Sequence, residues 1–177
     1  MNRSLIAGLI ASIVTGAALT AHAKISAQSS SVEFTAVGPA GLKIVGNSSD
    51  LRAAETDDSI VVAVPLAKLD TGIDLRNKHM QKYLETDKTP EAELIVTKSA
   101  IGYPNVGSGE ATGQLKLHGQ TKPVKFRYEA KKSGNGYAVT GGFRINIKEF
   151  GIEPPSYLGV TVKPDVDVAV KFNALDK

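Results

Sequence analysis

The sequence predicts an all-β domain of about eight strands, a sandwich or a barrel, interrupted by one short helix. Three observations support this prediction. Beyond residue 24, apolar and polar side chains alternate with a period of two, which is typical of strands with one buried face. Turns rich in Gly, Pro and Asn separate the alternating runs. The 177 residues, 42% of them hydrophobic and none of them Cys, suit one domain with one core.

The N-terminal residues 1–23 have the pattern of a secretory signal peptide. Arg3 supplies a positive start, no charge occurs from Leu5 to Leu19, and Ala21 and Ala23 form a small-x-small cleavage pattern. The apolar run is shorter than the ~20 residues that a membrane-spanning helix needs. We therefore expect a signal peptide over residues 1–23, one domain over residues 24–177, and a periplasmic or secreted protein that does not span the membrane.

Four strands are predicted in the first half of the domain. Alternation indicates strands around residues 32–35 and 42–47, the second of them open to continuation, after a break, as far as residue 55. Residues 60–65 are apolar on both faces, so their inward side chains cannot be identified from the sequence. Another strand follows Pro90 over residues 91–97.

One segment between these strands has a helical pattern. Thr71 and Asp74 have the spacing of a capping box, and an acidic residue is favourable near the start of a helix. Ile73, Met80 and Leu84 recur at spacings of seven and four residues, which places them on one helical face. The prediction is a short helix from Ile73 to about Leu84.

The second half of the domain predicts a meander of antiparallel strands. Two alternating runs flank Gly119-Gln120, which predicts a hairpin with its connection there. Residues 133–136 are a second turn, followed by a strand over residues 137–146. The last strand, residues 165–173, alternates most regularly.

The inward face of these strands is apolar and uncharged. A barrel of eight strands is either filled by its side chains or holds one small ligand, and alternation alone does not distinguish the two. Only 6% of the residues are aromatic and 17 are Gly, so the inward side chains are mostly small. This composition favours an interior that the side chains do not fill and that has space for a hydrophobic ligand. The predicted lumen residues are Val62, Val64, Leu94, Val96, Leu115, Leu117, Phe126, Tyr128, Val139, Phe143, Val166, Val168, Val170 and Phe172.

The sequence offers little for catalysis, metal binding or nucleic-acid binding. Within the predicted domain His79 and His118 are the only histidines, and no metal-ligand, nucleophile or phosphate-binding motif accompanies them. We therefore predict no cofactor, no metal and no enzyme activity; a version with His79 or His118 as a catalytic base remains an alternative. A net charge of +3 argues against a protein that binds nucleic acid by neutralising phosphates.

Arg76 and His79 are the candidates for contact with a ligand head group. They are three residues apart and therefore share one face of the predicted helix. The alternative is an ordinary surface helix in which both side chains bind nearby carbonyl groups or tie the helix to a strand end.

Several segments, in the same order, resemble the YceI-like family of exported lipid-binding proteins. Residues 69–72 and 76–80 resemble its Thr-Gly and Arg-Asp-x-His-Leu elements, residues 112–124 its Gly-x-Leu hairpin, and residues 145–152 its Phe-Gly turn. The chain departs from the family pattern at Asn77, Met80, Leu94 and Ile147.

The resemblance implies a single eight-stranded, lipocalin-like antiparallel barrel with an internal apolar tunnel. It further implies a periplasmic or secreted carrier that holds an amphiphile with a polyisoprenoid tail, such as a quinone or prenol. The alternative function is a filled barrel that acts as a structural or stress-related protein-interaction module. A homodimer is compatible with either.

Overall fold

The computed structural model describes residues 25–157 and 160–176, so the predicted signal peptide, residues 1–23, lies outside the described residues. Most of the described chain is antiparallel β-structure, which confirms the all-β prediction. The strands are β1 Ile25–Val37, β2 Lys43–Ser48, β3 Arg52–Glu55, β4 Ser59–Pro65, β5 Glu91–Thr97, β6 Ser108–Leu117, β7 Gln120–Ser133, β8 Gly136–Asn146, β9 Ser156–Tyr157, β10 Val160–Thr161 and β11 Asp165–Asp176. The helix α1 spans Asp74–Tyr83, between β4 and β5.

Nine of these strands form one curled sheet, in the order β2-β1-β11-β8-β7-β6-β5-β4-β3. In the described part of the chain, β9 and β10 form a separate two-stranded sheet with each other. The two edge strands, β2 and β3, follow one another in the chain, and β3 also contacts β1. The sheet therefore curls into a partly open barrel, in which β3 reaches β1 and no backbone ladder joins β2 to β3 in the described residues.

The prediction of eight strands is wrong by one, because the second strand is broken. β2 pairs with β1, whereas β3 pairs with β4. Between them the backbone N–H of Asp50 donates to the Ser48 hydroxyl oxygen at 3.0 Å, and that of Leu51 donates to the Ser49 carbonyl at 3.2 Å. These local bonds replace ladder bonds, so one bent segment supplies both edges of the sheet.

The helix lies within one residue of its predicted bounds at either end, but the predicted capping box is wrong. The residue at the N-cap position is Ile73, which provides no side-chain cap. The Thr71 hydroxyl donates instead to Oδ1 of Asn77 at 2.7 Å. Thr71 therefore holds the helix through a side chain one turn further on.

The β6–β7 hairpin turns one residue earlier than predicted. Its two central residues are His118 and Gly119, with φ of +51° and +72°, and Gln120 already belongs to β7. Positive φ at both central residues is the geometry that matches the twist of a two-residue hairpin. Only Gly adopts it without cost, so His118 is held in an uncommon conformation.

The connections divide the barrel into two ends. One end, which we call the helix end, carries α1, the Pro39–Gly41 turn and the Ile147–Phe150 turn. The opposite end, with the β3–β4 connection and the Lys98–Ile101 turn, is the far end. Phe150, 1% exposed, belongs to the core cluster together with inward side chains of the sheet, so the core extends to the helix end.

Candidate functional site

The curled sheet encloses a cavity of about 1480 Å³ that reaches from the helix end to the far end. Ordinary small-molecule pockets measure ~300–1000 Å³, so this one is large for a chain of this size. Its wall is made by the inward side chains of the sheet, which alternate with outward polar ones.

All of the predicted lumen residues lie on this wall. They are Val62, Val64, Leu94, Val96, Leu115, Leu117, Phe126, Tyr128, Val139, Phe143, Val166, Val168, Val170 and Phe172. Their contact with a ligand stays a prediction. The structure also resolves the phase of β4, since Ile60, Val62 and Val64 line the cavity together.

Sequence reasoning missed two groups of wall residues. Phe34, Ala36 and Ala130 lie in strand positions whose alternation already placed them inward. Tyr103 and Pro104 come from a connection between strands, where periodicity carries no information about direction.

The charged groups of the cavity wall all lie at the helix end. Among the described residues that line the cavity, the charged ones are Arg76, Lys82, Glu85 and Glu153, and His79 and His118 join them. Between these groups and the far end the wall carries no charge in the described part of the chain. The cavity is therefore amphiphilic, with charged groups at one end only in the described residues.

Arg76 is held in place by Thr71 while it lines the cavity. Its Nε donates to the Thr71 hydroxyl oxygen at 3.0 Å, and an Nη donates to the Thr71 carbonyl at 2.9 Å. The sequence left two roles open for Arg76, contact with a ligand head group or a bond to a nearby carbonyl. In the structure Arg76 binds a nearby carbonyl and also contributes to the cavity wall, so its position is compatible with both. His79 lines the cavity from the same face of α1 and is exposed.

Asn77 organises the loop before α1. Its Oδ1 accepts from the Thr71 backbone N–H at 2.9 Å, and its Nδ2 donates to Oδ1 of Asp70 at 2.7 Å. The Asn77 amide, followed by the Gly72 backbone N–H, lowers the pKa of Asp70. Asn77, where the family pattern has an acid, therefore bridges Thr71 and Asp70, whereas a carboxylate could not donate to Asp70.

His118 lines the cavity beside the end of α1. Its Nδ1 lies 3.0 Å from the Phe150 carbonyl, which can only accept, so Nδ1 carries a hydrogen and donates it. Its Nε2 lies 3.6 Å from Oε2 of Glu85. The hydrogen bond from Lys88 lowers the pKa of Glu85, with a smaller contribution from His118. In the described residues no three His, Cys, Asp or Glu side chains are grouped as a metal site.

At the far end, side-chain contacts hold the connection that follows β5. The Tyr137 hydroxyl donates to the Pro104 carbonyl at 3.1 Å. The Lys98 ammonium lies 2.7 Å from Oε1 of Glu55, whose side chain is 4% exposed, and 5.1 Å from the centre of the Tyr103 ring. Buried charge pairs of this kind hold a connection firmly, because separating them leaves one charge unpaired.

The family model for the YceI-like domain matches residues 20–174, nearly the whole chain. The chain belongs to the YceI-like domain family. The resemblance of its hairpin and turn segments to that family is thereby confirmed.

Curated relatives of this YceI-like chain occur in Pseudomonas. A UPF0312 protein of Pseudomonas savastanoi pv. phaseolicola is 32% identical over 128 residues, which is 67% of this chain and 62% of that protein. A UPF0312 protein of Pseudomonas putida strain W619 is 34% identical over 103 residues, 52% of each chain. The match thus spans about half the length of the latter relative.

Solved structures share the YceI-like fold at low identity. A polyisoprenoid binding domain from Saccharophagus degradans implicated in plant cell wall breakdown has a TM-score of 0.72 and 15% identity, covering 88% of this chain and all (100%) of that domain. Burkholderia cenocepacia BcnA has a TM-score of 0.66 and 17% identity, covering 81% of this chain and 95% of that one. These similarities establish the fold. In the described residues, no helix has the length and apolar character needed to cross a bilayer.

Proposed function

We propose that this chain is an exported carrier that holds a polyisoprenoid or another long-chain amphiphilic lipid inside its barrel and catalyses no reaction. One observation carries the proposal: a cavity of about 1480 Å³ has an uncharged wall and confines its charged groups to the helix end. That division matches a molecule with a long apolar tail and one polar head. The described structural neighbour that binds polyisoprenoids has the same fold, which supports the choice of ligand class.

The proposed orientation puts the head group at the helix end and the tail towards the far end. Arg76 and Lys82 offer donors to head-group oxygens, and His79 lies on the same face of α1 as Arg76. The tail contacts the walls of β5, β6, β8 and β11, where burial of apolar surface contributes about 25 cal/mol per Å².

Export is part of the proposal and rests on the sequence of residues 1–23 alone. An N-terminal mass that begins at Lys24 in protein purified from its own host supports it; an uncleaved N-terminus contradicts it. The filled-barrel alternative is disfavoured, because a barrel packed by its own side chains leaves no cavity of this volume.

The test is native mass spectrometry of protein purified from its own host, followed by extraction and identification of any bound lipid. Delipidated protein is then titrated with prenols and straight-chain alcohols of increasing length. Each added methylene should tighten binding by up to about 0.8 kcal/mol, roughly fourfold, until the cavity is full. The proposal is overturned if the purified protein contains no lipid and binds none of the added isoprenoids.

A neighbouring pair of residues on β11 supplies a matched control. Val170 lines the cavity and Ala169 points outward. We expect Val170→Gln to weaken prenol binding about tenfold, because its amide is buried beside the tail without a partner, and Ala169→Gln to change it less than about twofold. Equal effects of the two substitutions would contradict binding in the lumen.

A further inference from the structure

The exposed large apolar side chains of the described surface are confined to two short segments. They are Leu42, Val45, Ile73, Leu75 and Tyr83, and Leu42 and Leu75 are 63% and 64% exposed. The first two lie where the Pro39–Gly41 turn passes into β2, and the other three lie on or beside α1. We call this set the apolar rim. Both of its segments belong to the helix end.

The apolar rim is continuous with the cavity. Ile73 and Leu75 are more than half exposed and also line the cavity. Pro39 and Ile44, which flank Leu42, line it as well. An apolar path therefore leads from the lumen to the outer surface at the helix end.

Positive side chains are interleaved with the apolar rim. Lys43 follows Leu42, and α1 carries Arg76, Lys78 and Lys82 against one acidic residue, Asp74. Beside α1, Glu85 is paired with the Lys88 ammonium, whereas Asp70 accepts from the neutral Asn77 amide and Gly72 N–H and keeps its negative charge. The helix itself carries three positive side chains against one negative one, so its exposed part is apolar and cationic.

We propose that the apolar rim docks the helix end onto an anionic lipid bilayer, so that the cavity opens towards the membrane. The exposed side chains of Ile73 and Leu75 at the start of α1, flanked by Lys and Arg, allow shallow insertion into the bilayer interface. The rest of α1 is polar, so the contact with the bilayer rests on the apolar rim and not on an amphipathic helix. Anionic lipids attract such cations, and the attraction falls off with salt. The use of the bilayer as the source or destination of the ligand rests on the proposed function, whereas docking itself does not.

The experiment is co-sedimentation of the protein, as processed in cells, with vesicles of phosphatidylglycerol and phosphatidylcholine and with vesicles of phosphatidylcholine alone. We expect binding to the anionic vesicles that weakens between about 50 and 300 mM salt, and weaker binding to the neutral ones. Leu42→Glu together with Leu75→Glu should reduce partitioning at least about tenfold, because two apolar contacts are lost and two repelled charges are added.

The matched control is Thr112→Glu with Gln114→Glu, which adds the same charge on exposed positions of β6. It should bind vesicles within about twofold of the wild type. Circular dichroism of both variants checks that they are folded. No binding to anionic vesicles at low salt, or equal losses in both double variants, overturns the proposal.

Two further outcomes are informative. A wild-type dimer that Leu42→Glu with Leu75→Glu converts to a monomer would make the apolar rim an interface between two copies of the chain, which also overturns membrane docking. Prenol binding measured without vesicles tests the proposed function separately. Protein that binds prenol without docking loses only the docking proposal, and protein that docks without binding prenol loses only the carrier function.

Discussion

The two ends of the barrel are built on opposite principles. At the far end, Lys98 pairs with the buried carboxylate of Glu55 and donates to the Asp57 carbonyl at 3.0 Å, and Tyr137 is tied to Pro104. At the helix end, α1 has no buried residue. A connection held by buried charge opens rarely, whereas a helix with little buried surface opens at low free-energy cost.

The difference between the two ends indicates at which of them a ligand enters the cavity. The far end has the tied connection and an uncharged lining, and the helix end has the charged lining groups and the exposed apolar rim. We infer that ligand passes through the helix end and that its tail stops at the far end. The following predictions test this asymmetry.

The largest effect is expected from a charge in the wall that joins the two ends. Leu117 is 7% exposed, so Leu117→Asp places an unpaired carboxylate among apolar side chains, at a cost of roughly 3–5 kcal/mol of unfolding free energy. Val168→Asp should also abolish ligand retention or folding. Urea denaturation measures the loss, with the exposed Thr112→Asp as control. A stable, loaded Val168→Asp variant would show that the wall is not continuous.

The strand phase of this wall was predictable from the sequence, because neighbouring residues of a strand point to opposite faces. Val166 to Phe172 on β11 follow that rule without exception. The phase of β4 was not predictable, since Val61 and Ala63 are as apolar as Ile60 and Val62 and only pairing with β5 orients them.

The two ends were less predictable than the wall. The contact between His118 and Phe150 joins residues 32 positions apart, and the contact between Lys98 and Glu55 spans a similar separation in the chain. Such contacts depend on how the sheet curls and leave no periodic pattern in the sequence. Helical spacing is local and therefore identifies Arg76 as a candidate from the sequence. The capping-box pattern of its partner Thr71 is misleading, because Oδ1 of Asn77 binds the Thr71 hydroxyl instead.

A second prediction compares the bonds that hold each end. Lys98→Ala leaves Glu55 buried without its partner and should cost about 3 kcal/mol of unfolding free energy. Arg76→Ala removes two hydrogen bonds to Thr71 in a partly buried setting and should cost only about 1 kcal/mol. Urea midpoints at one pH measure both. An Arg76→Ala loss as large as that of Lys98→Ala would reverse the assignment of the firm end.

A third prediction uses one substitution at both ends. Ala36 and Ala130 line the cavity with 7% and 8% exposure, Ala36 near the helix end and Ala130 near the far end. Ala130→Leu should shorten the preferred prenol without slowing association, because it fills the tail's terminus. Ala36→Leu should slow association several-fold without changing the preferred length, at a similar packing cost of about 1–3 kcal/mol. Stopped-flow binding of a prenol series measures both the association rate and the preferred length. If Ala130→Leu slowed association and Ala36→Leu shortened the preferred prenol, the entrance would lie at the far end.

The smallest effect concerns the solvated polar contacts before α1. The Asn77 amide and the Gly72 N–H lower the pKa of Asp70 in the folded protein. The ionised carboxylate therefore stabilises the folded loop, and this contribution is complete above the pKa that Asp70 has in the unfolded chain. It is lost as the pH falls through the lower folded pKa, below about pH 4. Asn77→Ala removes the larger cause and should raise the pKa of Asp70 towards its usual value, measured by carboxyl ¹³C NMR titration. Asp167 is the internal control, because the pKa that Arg144 lowers on the outer wall should stay unchanged. If the pKa of Asp70 did not change in Asn77→Ala, the loop would be held by contacts other than Asn77. The contrast between a buried charge pair at the far end and exposed, titrating contacts at the helix end would then no longer hold.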